Sequence, residues 1–201
     1  MGNILKKKPE TSRAKRRVRA DSQRNLTVLL KAALQVFTTL GVDAPVREIA
    51  KKAGVGVGTV YRHFPKRSDL IVAVFRHEVD ACADAAPTLA AAHDPGEALA
   101  RWMQRYAVFI AAKHGLAAAL HSGDSAYESL PGYFGERLLP AYRKLLESAV
   151  VAGMIRSDVD PEDLLYAVAS LCMSAHDKGP DHVQRMVGLL VDGLRYGAKG
   201  G

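Results

Sequence analysis

The chain has 201 residues, with 28 Lys/Arg against 21 Asp/Glu and a formal net charge of +7. That length suits one domain or two small ones able to bury roughly 70% of the unfolded surface. No apolar run approaches the roughly 18–20 residues of a membrane span, and the basic N-terminus leads into no apolar leader-like segment, so a cytoplasmic protein without membrane contact is expected. Hydrophobic residues make up 48% and aromatics only 6%, and the recurrence of alanine and leucine favours an all-α fold.

The placement of charge says more than its sum. Residues 1–67 carry 16 Lys/Arg against 4 Asp/Glu, whereas residues 68–201 carry 12 against 17. Such asymmetry is the electrostatic footprint of a nucleic-acid-binding module joined to something else. A basic membrane tail is the rival, but the first 25 residues hold almost no bulky apolar side chain to insert beside the charges.

In chain order, residues 1–20 are too polar to fold alone and read as a disordered basic arm. Its Arg13, Lys15, Arg16, Arg17 and Arg19 are suited to holding phosphates or following the minor groove. Leu26, Leu29, Leu30, Ala33, Leu34 and Phe37 recur at spacings of three and four and predict a helix over 22–39, ended by Gly41. A second helix is predicted at 45–53, with Pro45 in its first turn. Gly54 falls where a helix end favours a left-handed residue, which glycine adopts without steric cost. Val55 then turns into the crevice, and a third helix follows at 58–64. This is a helix-turn-helix, packed around Phe37, Ile49, Val60 and Phe64. Its last helix carries Thr59, Tyr61, Arg62 and His63 away from the apolar side, with Lys66 beyond. These are the donors used on phosphates and base edges. Short helix-turn-helix units also occur as mere packing, and the surrounding positive charge turns this one toward DNA. The chain therefore divides into the arm (1–20), a DNA-binding head (21–67) and a second domain (68–201).

For the second domain, helices are predicted at about 68–86, 96–113, 116–121, 132–152, 161–175 and 181–196. Ser68-Asp69 offers the cap of the first, only four residues after the recognition helix. Pro140 should kink or split the fourth. Asp160-Pro161-Glu162-Asp163 is the strongest helix start in the chain. Trp102, Met103, Tyr106, Phe109, Tyr133, Phe134, Tyr142 and Met173 are candidate walls of a ligand cavity, with core packing the competing role for each. Tyr106, His114 and His176 are its possible polar groups. In the last helix Val183, Val187, Leu190 and Leu194 form one seam, while Met186, Leu189 and Val191 lie on other faces. Two apolar faces call for a second partner, so the last two helices are the expected homodimer interface.

Catalytic patterns do not emerge. The histidines are scattered, without H-E-x-x-H or paired C-x-x-C, and Cys82 and Cys172 sit in helical patterns as buried thiols do. Ser122 to Ser125 lacks a G-x-S-x-G setting, and the glycines at 54–58 lack the strand and Lys-Ser/Thr of a phosphate-binding loop. No enzyme, cofactor or metal site is predicted.

The run AGVGVGTVYRHFPKRSDL, following IAKK and a capped helix ending FTTLG, resembles the TetR family of bacterial one-component transcriptional regulators. The resemblance is specific over about residues 22–75 and continues in helix number and length and in the RSDVDPEDL stretch. It implies an all-α homodimer whose two heads read a palindrome in double-stranded DNA. The C-terminal domains would pair through the last two helices and enclose a pocket for an unknown small-molecule effector, most often releasing a repressor. By motif position, Thr59, Tyr61, His63 and Lys66 would hold phosphates, Val57, Gly58 and Arg62 would face base edges, and Arg47 would lie near the backbone. Two positions depart from the family pattern: Ala44 replaces a capping Ser or Thr, and Gly56 replaces a Ser opening the recognition helix. A non-specific architectural DNA-binding protein, or a small helical enzyme or ligand carrier with a basic tail, are the alternatives.

Overall fold

Helix starts and stops in the computed structural model follow local signals, with three informative exceptions. The structure describes residues 10–113, 116–174 and 178–196. Among them it is all-α: α1 (Glu10–Leu40), α2 (Val46–Ala53), α3 (Val57–His63), α4 (Arg67–Ala83), α5 (Ala85–Ala92), α6 (Pro95–Lys113), α7 (Ala117–Leu120), a 3₁₀ turn at Ser125–Tyr127, α8 (Leu130–Val151), α9 (Pro161–Ser174) and α10 (Pro180–Arg195). Among the described residues no helix is long and apolar enough to cross a membrane. His114 and His176, named above, lie outside them.

α1 is the first exception. It runs 31 residues back to Glu10, so 10–20, expected as disordered arm, is helical; residues 1–9 lie outside the described part. No glycine or proline interrupts 10–40, and Arg, Lys and Ala are good helix formers. Once the apolar half of α1 is packed, each further turn extends an existing helix without a new nucleus.

α2 stops as its sequence demands. Gly54 is left-handed at φ 68°, and the Val55 N–H donates across the cap to the Ala50 carbonyl at 3.0 Å, closing a Schellman-type end. Leu29, Leu30, Ala33 and Phe37 of α1, Ile49 and Ala50 of α2, and Val60 of α3 are buried together as the core of the head.

Two prolines give the other exceptions. The expected single helix over 68–86 is broken at Asp84, and α5, absent from the sequence reading, follows at once. Pro87 has no N–H for the Ala83 carbonyl and its ring crowds that group, so the first ladder ends there and a new helix accepts Pro87 in its first turn. Pro140, by contrast, splits nothing: α8 is continuous through it. Pro140 is exposed, and one missing ladder bond is outweighed by the burial of Leu138, Tyr142, Leu145, Leu146 and Ala149 on the inner face.

α6 is the centre of the second domain, packed by α4, α5, α8, α9 and α10. α4 also packs on α1, and the buried residues of all these helices form one continuous cluster. Three of the four residues assigned to the dimer seam belong to that cluster. Val183, Val187 and Leu194 are buried within the single chain, Leu190 is half-buried, and α10 packs there on α6 and α9. The spacing of that stripe correctly marks a buried face, but the partner is the chain's own core. The large apolar side chains left outside on these helices are Tyr166 (75% exposed) and Met173 (64%) on α9, and Leu189 (66%) on α10, with Tyr196 (87%) just beyond its end.

Val187→Asp should therefore unfold the chain instead of merely separating two copies. It places an unpaired charge at a site with 0% exposure, and a loss of more than about 3 kcal/mol in urea denaturation is expected. A variant of unchanged stability would place Val187 outside the core.

Candidate DNA-binding face and aromatic core

α3 turns one side inward and leaves the rest free. Val60 is buried and Phe64 half-buried, whereas Val57, Gly58, Tyr61, Arg62, His63 and Lys66 are exposed and Thr59 is half-buried. All seven candidates of this segment thus lie on or beside one outward surface. A Cβ built on Gly56 or Gly58 would meet nothing in the chain, so close approach by an outside partner is sterically open. Arg62 lies along its own helix, its Nε donating to the Gly58 carbonyl at 3.2 Å and an Nη to Thr59 Oγ1 at 3.3 Å. Arg47, at the start of α2, is exposed and loosely paired with Glu48 at 3.4 Å. A cleft of about 360 Å³ between α1 and α3 is lined by Asp21, Ser22, Asn25, Leu29, Val55, Thr59 and His63.

How this face is held involves a residue that the sequence reading gave no role. Arg67, the first residue of α4, donates through Nη1 to the carbonyls of Val42 and of Ala44, the latter at 2.9 Å. The turn before α2 has no side-chain cap, and Ala44 stands where the family pattern offers a hydroxyl. Arg67 secures that turn from the other side. The α4 start is capped by Asp69, whose Oδ2 accepts the Lys66 N–H at 3.0 Å.

In the second domain Trp102, Met103, Tyr106, Phe109 and Tyr142 are buried and Phe134 is half-buried. The rings form a ladder across α6 and α8. Tyr142 stacks on Trp102 at 5.3 Å between centroids, Trp102 on Tyr106 at 5.6 Å, Tyr106 meets Phe134 at 6.3 Å, and Phe134 stacks on Phe109 at 6.0 Å. Phe75 of α4 closes edge-on against Phe109 at 6.1 Å. Trp102 Nε1 donates to the Cys82 carbonyl at 2.9 Å, while the Tyr142 hydroxyl is buried without a hydrogen-bond partner among the described residues. Met173 is not part of this wall: its position on α9 points it to solvent, because two sides of α9 carry apolar residues and periodicity alone does not rank them. Lys113, at the end of α6, has its Nζ 6.0 Å from the Phe75 ring and 5.9 Å from the Phe134 ring. A lysine in a last helical turn reads as a solvated partner of the helix dipole, so no sequence signal marked it.

Two further groups tie α8 to α4 and α5. Arg137 Nε and the Tyr133 hydroxyl both donate to Asp80 Oδ1 at 2.7 Å, and an Arg137 Nη donates to Asp84 at 2.9 Å. Both cysteines are buried, and burial pushes the thiols up, Cys82 to about 12 and Cys172 to about 11, which leaves them unreactive as nucleophiles. Among the described residues no group of His, Cys, Asp and Glu is placed to hold a metal ion.

An exposed helix carried by a glycine turn, cationic and open on its outer side, on a head whose buried residues run on into the core of the following helices, defines a helix-turn-helix DNA-binding protein. Residues 29–74 match the family model of bacterial regulatory proteins of the tetR family, and residues 94–196 match the C-terminal domain of SbtR-like transcriptional regulators. The chain belongs to the TetR family of bacterial transcriptional regulators and is a DNA-binding transcriptional regulator. It is similar to the crystal structure of a TetR regulator from Streptomyces coelicolor, with 38% identity, TM-score 0.74, and coverage of 84% of this chain and 97% of that one. A TetR regulatory protein from Mycobacterium vanbaalenii is also 38% identical, with TM-score 0.70 and coverage of 89% and 99%. An HTH-type transcriptional regulator of Staphylococcus aureus is 36% identical over 64 residues, a match spanning 31% of this chain and 35% of that protein.

Proposed function

We propose that this regulator is a repressor that binds a palindromic operator as a homodimer and releases it when a small molecule enters the second domain. The observation that carries the reading is the outward side of α3, whose exposed residues hang on a head fixed to α4. Val57, Gly58 and Arg62 face base edges, and Thr59, Tyr61, His63 and Lys66 hold phosphates beside Arg47. To reach a base, Arg62 exchanges its bonds to Gly58 and Thr59 for bonds to a guanine edge, a trade of neutral acceptors that costs little. The helical extension of α1 at 10–20 replaces a loose arm as the carrier of Arg13, Lys15, Arg16, Arg17 and Arg19. Such a protein works in the cytoplasm, where its DNA lies.

The dimer uses the outer surfaces of α9 and α10, where Tyr166, Met173, Leu189 and Tyr196 are exposed. Large apolar side chains left exposed on two helices that pack together mark an interaction surface. Pairing there sets the two heads about 34–36 Å apart, one turn of the duplex. The effector takes its place among the rings of α6 and α8. Any displacement of α8 reaches α4 through Asp80 and Asp84, and α4 carries it to α3. The effect is bounded by the effector's differential affinity for the two states, about 1–3 kcal/mol in typical coupled systems.

Two experiments test this. In fragment selection from random DNA, Arg62→Ala should narrow the preference for operator over random duplex by about 1–3 kcal/mol, whereas Lys66→Ala should weaken both alike. Equal losses from Arg62→Ala, or no preferred palindrome at all, would favour an architectural DNA-binding protein instead. The double substitution Tyr166→Glu and Leu189→Glu should sediment as a folded monomer with weakened operator binding; a persisting dimer would place the interface elsewhere.

A further inference from the structure

Lys113 is a cation with an unmet demand. Its ammonium sits against the Phe75 and Phe134 rings, half-buried, and among the described residues no carboxylate pairs with it. Arg137 shows what the chain does with a cation it uses structurally, giving it two aspartates. At Lys113 burial pulls the ammonium below the usual lysine range. Ring faces attract a cation but do not replace its lost hydration when it is partly desolvated.

The surroundings say what would meet that demand. Phe134 and Lys113 are both half-buried, so the ammonium and the ring beside it are reachable from solvent. From Phe134 the ladder of Phe109, Tyr106 and Trp102 runs inward, ring against ring, into the core. At its far end the Tyr142 hydroxyl, fully buried, has no hydrogen-bond partner among the described residues. A ring ladder with a cation at one end and a hydroxyl at the other, neither given an opposite or bonding partner among the described residues, is incomplete in its polar groups. One cation calls for one negative charge, since a dianion would leave a charge buried and uncompensated.

We propose that the effector is an organic monoacid, its carboxylate paired with Lys113 and its aromatic or alkyl body laid against Phe134 and Phe109. This rests on reading the rings of α6 and α8 as the effector site. A charge-assisted bond from a partly desolvated ammonium to a carboxylate is among the stronger hydrogen bonds, and a neutral analogue of the same shape leaves the ammonium unpaired.

Trp102 is the only tryptophan and belongs to the ladder, so intrinsic fluorescence of the full-length protein reads the site directly. Titrations with 4-phenylbutyrate and octanoate should show binding at least about tenfold tighter than with 4-phenylbutyramide and octanamide, a difference of about 1.4 kcal/mol. In Lys113→Met the acids should fall to the level of the amides while the amides keep their affinity, and Lys113→Arg should retain the preference. Lys113→Met gives up only the two ring contacts of a partly desolvated cation, and its thermal melt should match or exceed that of the parent, which separates a binding defect from misfolding. Equal binding of acids and amides, binding of neither acid, or an acid preference surviving in Lys113→Met overturns the proposal. Operator release by neutral compounds alone would overturn it while leaving the regulator intact; failure of the ligand-free protein to bind any operator would instead strike the repressor reading.

Discussion

The head keeps its orientation through Arg67. Its guanidinium takes the carbonyls of Val42 and Ala44, so the turn that launches α2 is fastened to the first residue of α4. Both carbonyl-bearing residues are buried, and a buried carbonyl without a donor is costly. A charged, planar donor reaching two acceptors at once satisfies that need with little freedom left in the joint. On the other side only Phe64, Pro65 and Lys66 separate α3 from α4. The recognition helix is thus gripped from both ends of the helix-turn-helix, and its outward face is as fixed as α4 itself.

α4 carries that constraint into the second domain. Leu70, Ile71, Val74, Phe75 and Val79 are buried along it, and it packs against α1, α6 and α8. The Asp80, Arg137 and Tyr133 group lies at its far end. Both charged partners keep about two-fifths of their side-chain surface in water, so the pair adds little stability; what it adds is register between α4 and α8. Phe75 places α4 directly against the ring ladder. One helix therefore touches the DNA-binding head, the aromatic core and α8.

Much of this was legible in the residues. The helix-turn-helix follows from a left-handed Gly54, a small Ala50 and inward Val60, all local requirements that sequence states openly. Asp160 caps α9 by accepting the N–H groups of Glu162 and Asp163 at 2.8 and 3.0 Å, as its setting foretells. Periodicity also found the buried stripe of Val183, Val187 and Leu194, but it cannot say whether a stripe meets its own chain or another copy. Pro87 and Pro140 are alike in sequence; burial on the inner face of α8 decides that one helix persists and the other breaks. Arg67 and Lys113 escaped notice because a cation beside a helix end looks the same whether it is solvated or held. Their roles come from groups distant in sequence, such as the Ala44 carbonyl and the Phe75 ring, and no local pattern encodes such distances.

Hydrogen exchange on Arg67→Met tests the grip on the head most directly. If Arg67 makes head and second domain one mechanical unit, amides of α2 and α3 should lose protection by about 1–3 kcal/mol in opening free energy, while those of α6 and α8 keep theirs. Undiminished protection in α2 and α3 would show that the head is held by other means and would contradict the account.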